Sequence, residues 1–131
     1  MIRISLVTVL LLIVAAYAGA QTIEVKEMVF CPTIEERVPV QPDSIFHDTV
    51  EKVYCFTRIT GAADSTSIFH VWYHEEVEKA RVELTVRSAD WRTWSSKKIL
   101  DGWTGIWRVD VLHPDGKLLR SKEFLVKPAT E

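Results

Sequence analysis

Glycine and proline number only five each in this 131-residue chain, and cysteine and methionine two each. So little Gly and Pro excludes a collagen-like or low-complexity polymer, and an apolar share of 47% excludes a disordered tail. Charge of one sign is equally scarce. Sixteen Lys and Arg against 18 Asp and Glu leave a net charge of −2. A slightly acidic chain has no sequence-independent attraction to phosphate backbones, so nucleic acid is not an expected partner. There is no Cys-x-x-Cys pair, no Gly-x-Ser-x-Gly elbow and no glycine-rich phosphate loop. What the chain does have is tryptophan: five, in a length that suits a single domain.

The first twenty residues read as a secretory signal. Arg3 precedes an apolar run from Leu6 to Ala16, and Ala18-Gly19-Ala20 forms a small-x-small cleavage site before Gln21. That run is too short to span a bilayer and no stop-transfer cluster follows it, so no stable membrane span is expected after cleavage. Residues 21–131 then form one domain, secreted or periplasmic, with all five tryptophans and one basic residue fewer. Export governs the reading of Cys31 and Cys55. In an oxidising compartment an even count without a redox motif predicts a structural disulfide, stabilising by at most about 3.5 kcal/mol for a loop of this length.

Past the signal, periodicity two dominates. Ala80, Val82, Leu84 and Val86 alternate with Arg81, Glu83, Thr85 and Arg87, the pattern of a strand with one buried face. Trp107, Val109 and Val111 repeat it, and His113-Pro114-Asp115-Gly116 supplies turn chemistry before a partner strand from Lys117 to Val126. In that return arm Leu119 falls on one parity and Phe124 and Val126 on the other, which predicts a bulge. Residues 23–30, 50–60, 67–74 and 92–99 are further strand candidates, and Glu75 to Lys79 a charged connection. Pro32 to His47, with Pro32, Pro39 and Pro42, reads as an extended surface connection rather than a core strand. About seven strands in this length predict an all-β, immunoglobulin-like antiparallel β-sandwich, with a small β-barrel as the alternative.

Several of these stretches carry a resemblance. Val53-Tyr54-Cys55-Phe56-Thr57, His70-Val71-Trp72-Tyr73, Trp91-Arg92-Thr93-Trp94-Ser95-Ser96-Lys97, Gly105-Ile106-Trp107-Arg108-Val109 and the Asp115-Gly116 turn leading toward Phe124 and Val126 resemble domain of unknown function 2914. The resemblance covers roughly residues 50–127, with the Trp-Arg-Thr-Trp-Ser-Ser block its most specific part. It departs at Ile106, where an acidic residue is usual. It implies a bacterial, extracytoplasmic, β-rich domain and carries no catalytic residues or activity with it.

Any chemistry must therefore be read from the residues themselves. His70 and His74 have the spacing of a helical metal pair, but on a strand they are about 13 Å apart, too far to share an ion held at about 2.1 Å. No metal or other cofactor is expected. Ser95 or Ser96 with His70 and Asp90 makes only a nominal triad, without an elbow to expose the hydroxyl. Glu83 and Asp110 fall on polar strand faces rather than as a facing carboxylate pair. Enzyme activity is accordingly not expected.

The tryptophans divide. Trp72 and Trp107 lie in apolar strands and are expected to pack the core, Trp72 against the Cys31–Cys55 bridge. Trp91, Trp94 and Trp103 lie near turn residues and beside Arg92, Lys97 and Lys98. Trp91, Arg92, Trp94 and Trp103 are thus the candidate ligand-binding residues. The bland alternative makes Trp94 core and leaves Trp91 and Trp103 capping the sandwich ends. The expectation is a non-catalytic binding, accessory or protein-interaction module of the cell envelope, with carbohydrate binding through these tryptophans as the alternative and a small hydrolase, which would need a concave site with converging His and carboxylate, ranked below both. Exposed co-planar tryptophans would favour the sugar, and covered tryptophans beside an open strand edge the protein.

Overall fold

The computed structural model describes residues 22–129. The expected signal segment lies outside the described residues. Ten strands follow one another: β1 (Glu24–Cys31), β2 (Thr33–Glu35), β3 (Val38–Val40), β4 (Ile45–His47), β5 (Lys52–Thr60), β6 (Thr66–His74), β7 (Val77–Val86), β8 (Asp90–Lys98), β9 (Gly105–Leu112) and β10 (Leu118–Lys127). A three-stranded sheet, β1-β5-β8, faces a five-stranded sheet, β4-β10-β9-β6-β7, and β2 and β3 form a separate hairpin. The architecture is a β-sandwich, and neither sheet closes into a barrel.

Alternation creates the core. From β5, Val53, Cys55, Thr57 and Ile59 point inward. Opposite them stand Ile68, His70 and Trp72 of β6, Trp107, Val109 and Val111 of β9, and Phe124 and Val126 of β10. Phe124 is the hub of the aromatic packing, with ring centroids of Phe30, Phe46, Trp107 and Trp72 at 4.5, 5.8, 5.9 and 6.1 Å. Each such ring contributes about 1.5–3 kcal/mol by leaving water.

The β9–β10 hairpin forms as the turn residues dictate. His113 N–H donates to the Lys117 carbonyl, and Gly116 takes a φ of 95° that favours glycine. Register slips between Leu118 and Arg120, which resolves the conflicting parities of that arm. Between β6 and β7 the connection is shorter than the charged run suggested. Only Glu75 and Glu76 lie outside the strands, both in the left-handed region at φ 47° and 67°. Glu75 docks on the start of β9, where its carboxylate accepts the Ile106 N–H at 3.1 Å. A side chain at Gly105 would overlap that carboxylate.

Several expectations need correction. The stretch Pro32–His47 is not a plain connection. It holds the β2–β3 hairpin and then β4, which joins the large sheet parallel to β10 and buries Phe46. That parallel pair also departs from a purely antiparallel sandwich, and the strand count is ten rather than about seven. The expected disulfide is not formed: Cys31 and Cys55 are both free, buried thiols. The β1–β5 register explains it. Cys31 pairs with Tyr54 and Phe30 with Cys55, so the two thiols, one step out of register, point to opposite faces of the sheet. Trp72 consequently packs on Phe124 rather than on a bridge.

Candidate ligand-binding site at the margin of strand β8

Two polar constellations stand out, one inside the sandwich and one at its rim. The inner one joins the sheets. Thr57 Oγ1 donates to the Thr93 carbonyl at 2.8 Å, so its oxygen can only accept from His70 Nε2–H, 3.2 Å away. His70 Nδ1 is then bare and accepts the Ser95 hydroxyl proton at 2.7 Å, while Ser95 Oγ accepts from Trp72 Nε1–H at 3.0 Å. The chain of donors runs one way, from Trp72 through Ser95, His70 and Thr57 to the Thr93 carbonyl. Each proton has one acceptor, and among the described residues no buried side-chain nitrogen or oxygen lacks a partner. Burial pushes the His70 imidazole down to about 3, so the ring is neutral at physiological pH.

This network contains the Ser95–His70 contact of the nominal triad, in a form unsuited to attack on a substrate. The serine addresses Nδ1, Thr57 rather than a carboxylate holds the other nitrogen, and His70 and Ser95 are buried between the sheets. Asp90 is elsewhere, in a bidentate pair with Arg58 at 2.8 and 2.6 Å. His74, on the same face as His70, donates through Nε2 to the Thr104 carbonyl at 2.8 Å and stacks on Trp107 with centroids 4.6 Å apart.

The rim is built by β8, the last strand of the three-stranded sheet. Trp91 shares the inward parity of Thr93 and Ser95 and packs partly on the core. Trp94 has the opposite parity and stacks on Phe56 of β5, with centroids 6.2 Å apart and planes 17° from parallel. Arg37, from the turn of the β2–β3 hairpin, closes the strand edge between them. Its guanidinium lies 5.4 Å from the centroid of each indole, and Nη2 donates to the Arg92 carbonyl at 3.0 Å. Arg92 Nη1 returns a longer bond, 3.4 Å, to the Arg37 carbonyl. Arg37, Arg58, Ser88, Asp90, Trp91 and Arg92 line a recess of about 420 Å³.

The sequence-expected residues therefore divide in two. Trp91, Arg92 and Trp94 come together. Trp103 lies at the level of Lys97, six residues along β8 from Trp91 and roughly 20 Å away at 3.3 Å per residue. It stacks on His74, and the ammonium groups of Lys79 and Lys97 approach its ring at 5.1 and 5.3 Å. All five tryptophans are buried or half-buried. Sequence reasoning missed Arg37 and Arg58. Arg37 reaches β8 across 55 residues of chain. Its hairpin carries no Asn-Gly signal, because Glu36 and Arg37 themselves take the left-handed conformation at φ 49° and 64°.

A family model described as "Protein of unknown function (DUF2914)" matches residues 65–126. The match runs from the start of β6 into β10 and contains Ser88, Asp90, Trp91 and Arg92, whereas Arg37 and Arg58 lie before it. It begins later than the resemblance read from the sequence, leaving out Val53–Thr57. No curated protein matches the chain.

Proposed function

We propose that this chain, whose residues 65–126 match a family model of unknown function, is a non-catalytic, extracytoplasmic module that binds a protein of the cell envelope at the margin of β8. The observation that carries the reading is the Arg37 clamp: at this strand edge one side chain from a separate hairpin meets the Arg92 carbonyl and both flanking indoles. The opposite edge of this sheet is closed more heavily. The carbonyls of Val25, Met28 and Phe30 in β1 accept from Arg120, Lys122 and the Asp43 N–H. Exposed strand edges are natural docking sites for an added extended segment, so the less covered margin is the favoured contact surface. The signal-like residues 1–20 support export, and the occupied, buried state of Ser95 and His70 supports a role without catalysis.

Carbohydrate binding is the weaker reading. Trp91 and Trp94 project to opposite faces of β8 with a guanidinium between them, and Trp103 is flanked by two lysines. No co-planar pair is offered to a sugar ring. Tryptophan emission of residues 21–131, titrated with envelope proteins and with neutral and charged glycans, separates the two. A protein segment should shift the emission, and Arg37→Gln should weaken that response. Quenching by neutral glycans alone would return the case to sugar binding, and silence throughout would sink both.

A further inference from the structure

We infer that the recess between Arg37 and Arg92 is an oxyanion site, shaped to take a carboxylate from an acidic peptide segment. The inference rests on the reading of the β8 margin as a contact surface and specifies what that surface selects. Three arginines and one aspartate line the recess, so it is cationic in a chain whose overall charge is −2. Lys26 adds to the same field, which acts on Asp90. Arg58 is already satisfied: its planar fork holds the Asp90 carboxylate through two bonds, and that pairing keeps Asp90 below the usual carboxylate range. This pair displays within the recess the fork-to-carboxylate recognition proposed for the ligand.

Among the described residues, neither Arg37 nor Arg92 is hydrogen-bonded to a carboxylate; Asp90, which Arg58 already holds, acts on Arg92 only through its field. Each spends one N–H on the other's backbone carbonyl, which leaves most of their ten N–H donors for something else. An entering carboxylate would accept from those donors. Arg37 is also held in advance. Its guanidinium lies within cation–π range of both Trp91 and Trp94 and donates to the Arg92 carbonyl, contacts that reduce the side-chain freedom left to be lost on binding. Trp91, half-buried on the wall, offers apolar surface to the methylene stem of a glutamate rather than to a bare ion.

Acetyl-tetraglutamate amide is the probe, with acetyl-tetraglutamine amide as its neutral counterpart and inorganic sulfate as competitor, all titrated calorimetrically into residues 21–131 at low salt. Saturable binding of the glutamate peptide alone is expected, at least tenfold weaker in Arg92→Gln, which alters an exposed side chain. Asp90→Asn should tighten it several-fold, by removing the carboxylate that competes for the same forks; a purely structural role for Asp90 would not give a gain. Arg81→Gln, on β7 and paired with Glu78, should leave it unchanged. Equal loss in Arg81→Gln and Arg92→Gln, no saturation, or sulfate binding more tightly than the peptide would overturn the assignment. Loss of peptide binding with an intact envelope-protein response would remove this site and leave the broader reading standing.

Discussion

His70 is the side chain whose chemistry is most easily misread. Beside a serine it resembles a catalytic base, yet its hydrogen bonds define one neutral tautomer in a sealed interior. A pH dependence follows. The unfolded imidazole titrates near 6.5 and the folded one near 3, so the unfolded chain binds a proton first as pH falls. The resulting stability is fully present above pH 6.5 and is lost between there and about 3, by on the order of 5 kcal/mol at most. His70→Leu should lower stability at pH 7 by about 1–3 kcal/mol, because Ser95 and Thr57 lose a partner, while flattening the profile between pH 6.5 and 4. Urea unfolding of both proteins across that range measures it; a variant as acid-sensitive as the parent would contradict the assignment. The cysteines make a simpler case. Denatured without reductant, the protein should take up two alkyl groups, and reductant should not raise the number. A mass showing no uptake until reduction would restore the bridge.

At the scale of elements, legibility followed strand length and alternation. β5 to β10 lie within a few residues of their expected limits because eight to ten residues of period two leave little choice of which face turns inward. β2, β3 and β4 have three residues each, too few for a periodic signal, and Pro39 inside β3 argues against a strand that nonetheless forms away from the main sheets. The disulfide expectation failed for a reason no cysteine count contains: pairing parity between β1 and β5 becomes known only once the register is. Half of the rim site, Trp91, Arg92 and Trp94, could be read from one short block. The other half, Arg37 and Arg58, arrives through tertiary packing. The β2–β3 turn offers a test that separates stability from binding. Arg37→Gly removes a left-handed non-glycine residue, which offsets the lost indole contacts, so stability should change by no more than about 1 kcal/mol while ligand response is lost. A large loss of stability measured by denaturant unfolding would show the clamp to be mainly structural.

For the whole molecule, the two sheets divide the labour. The large sheet carries most of the aromatic core around Phe124 and is tied to the small sheet through the His70 chain. The small sheet has one edge, β1, stapled by side chains from β10, and another, β8, whose Arg92 carbonyl accepts from an arginine of a hairpin that joins neither sheet. The most direct measurement is amide chemical-shift mapping of residues 21–131 during titration with the tetraglutamate peptide. Perturbations are predicted for Arg37, Arg58 and the stretch from Ser88 to Trp94, with the Trp72–His70 interior unmoved. Perturbations centred on β7, on Trp103 or on the sandwich interior, with the β8 margin silent, would contradict the account.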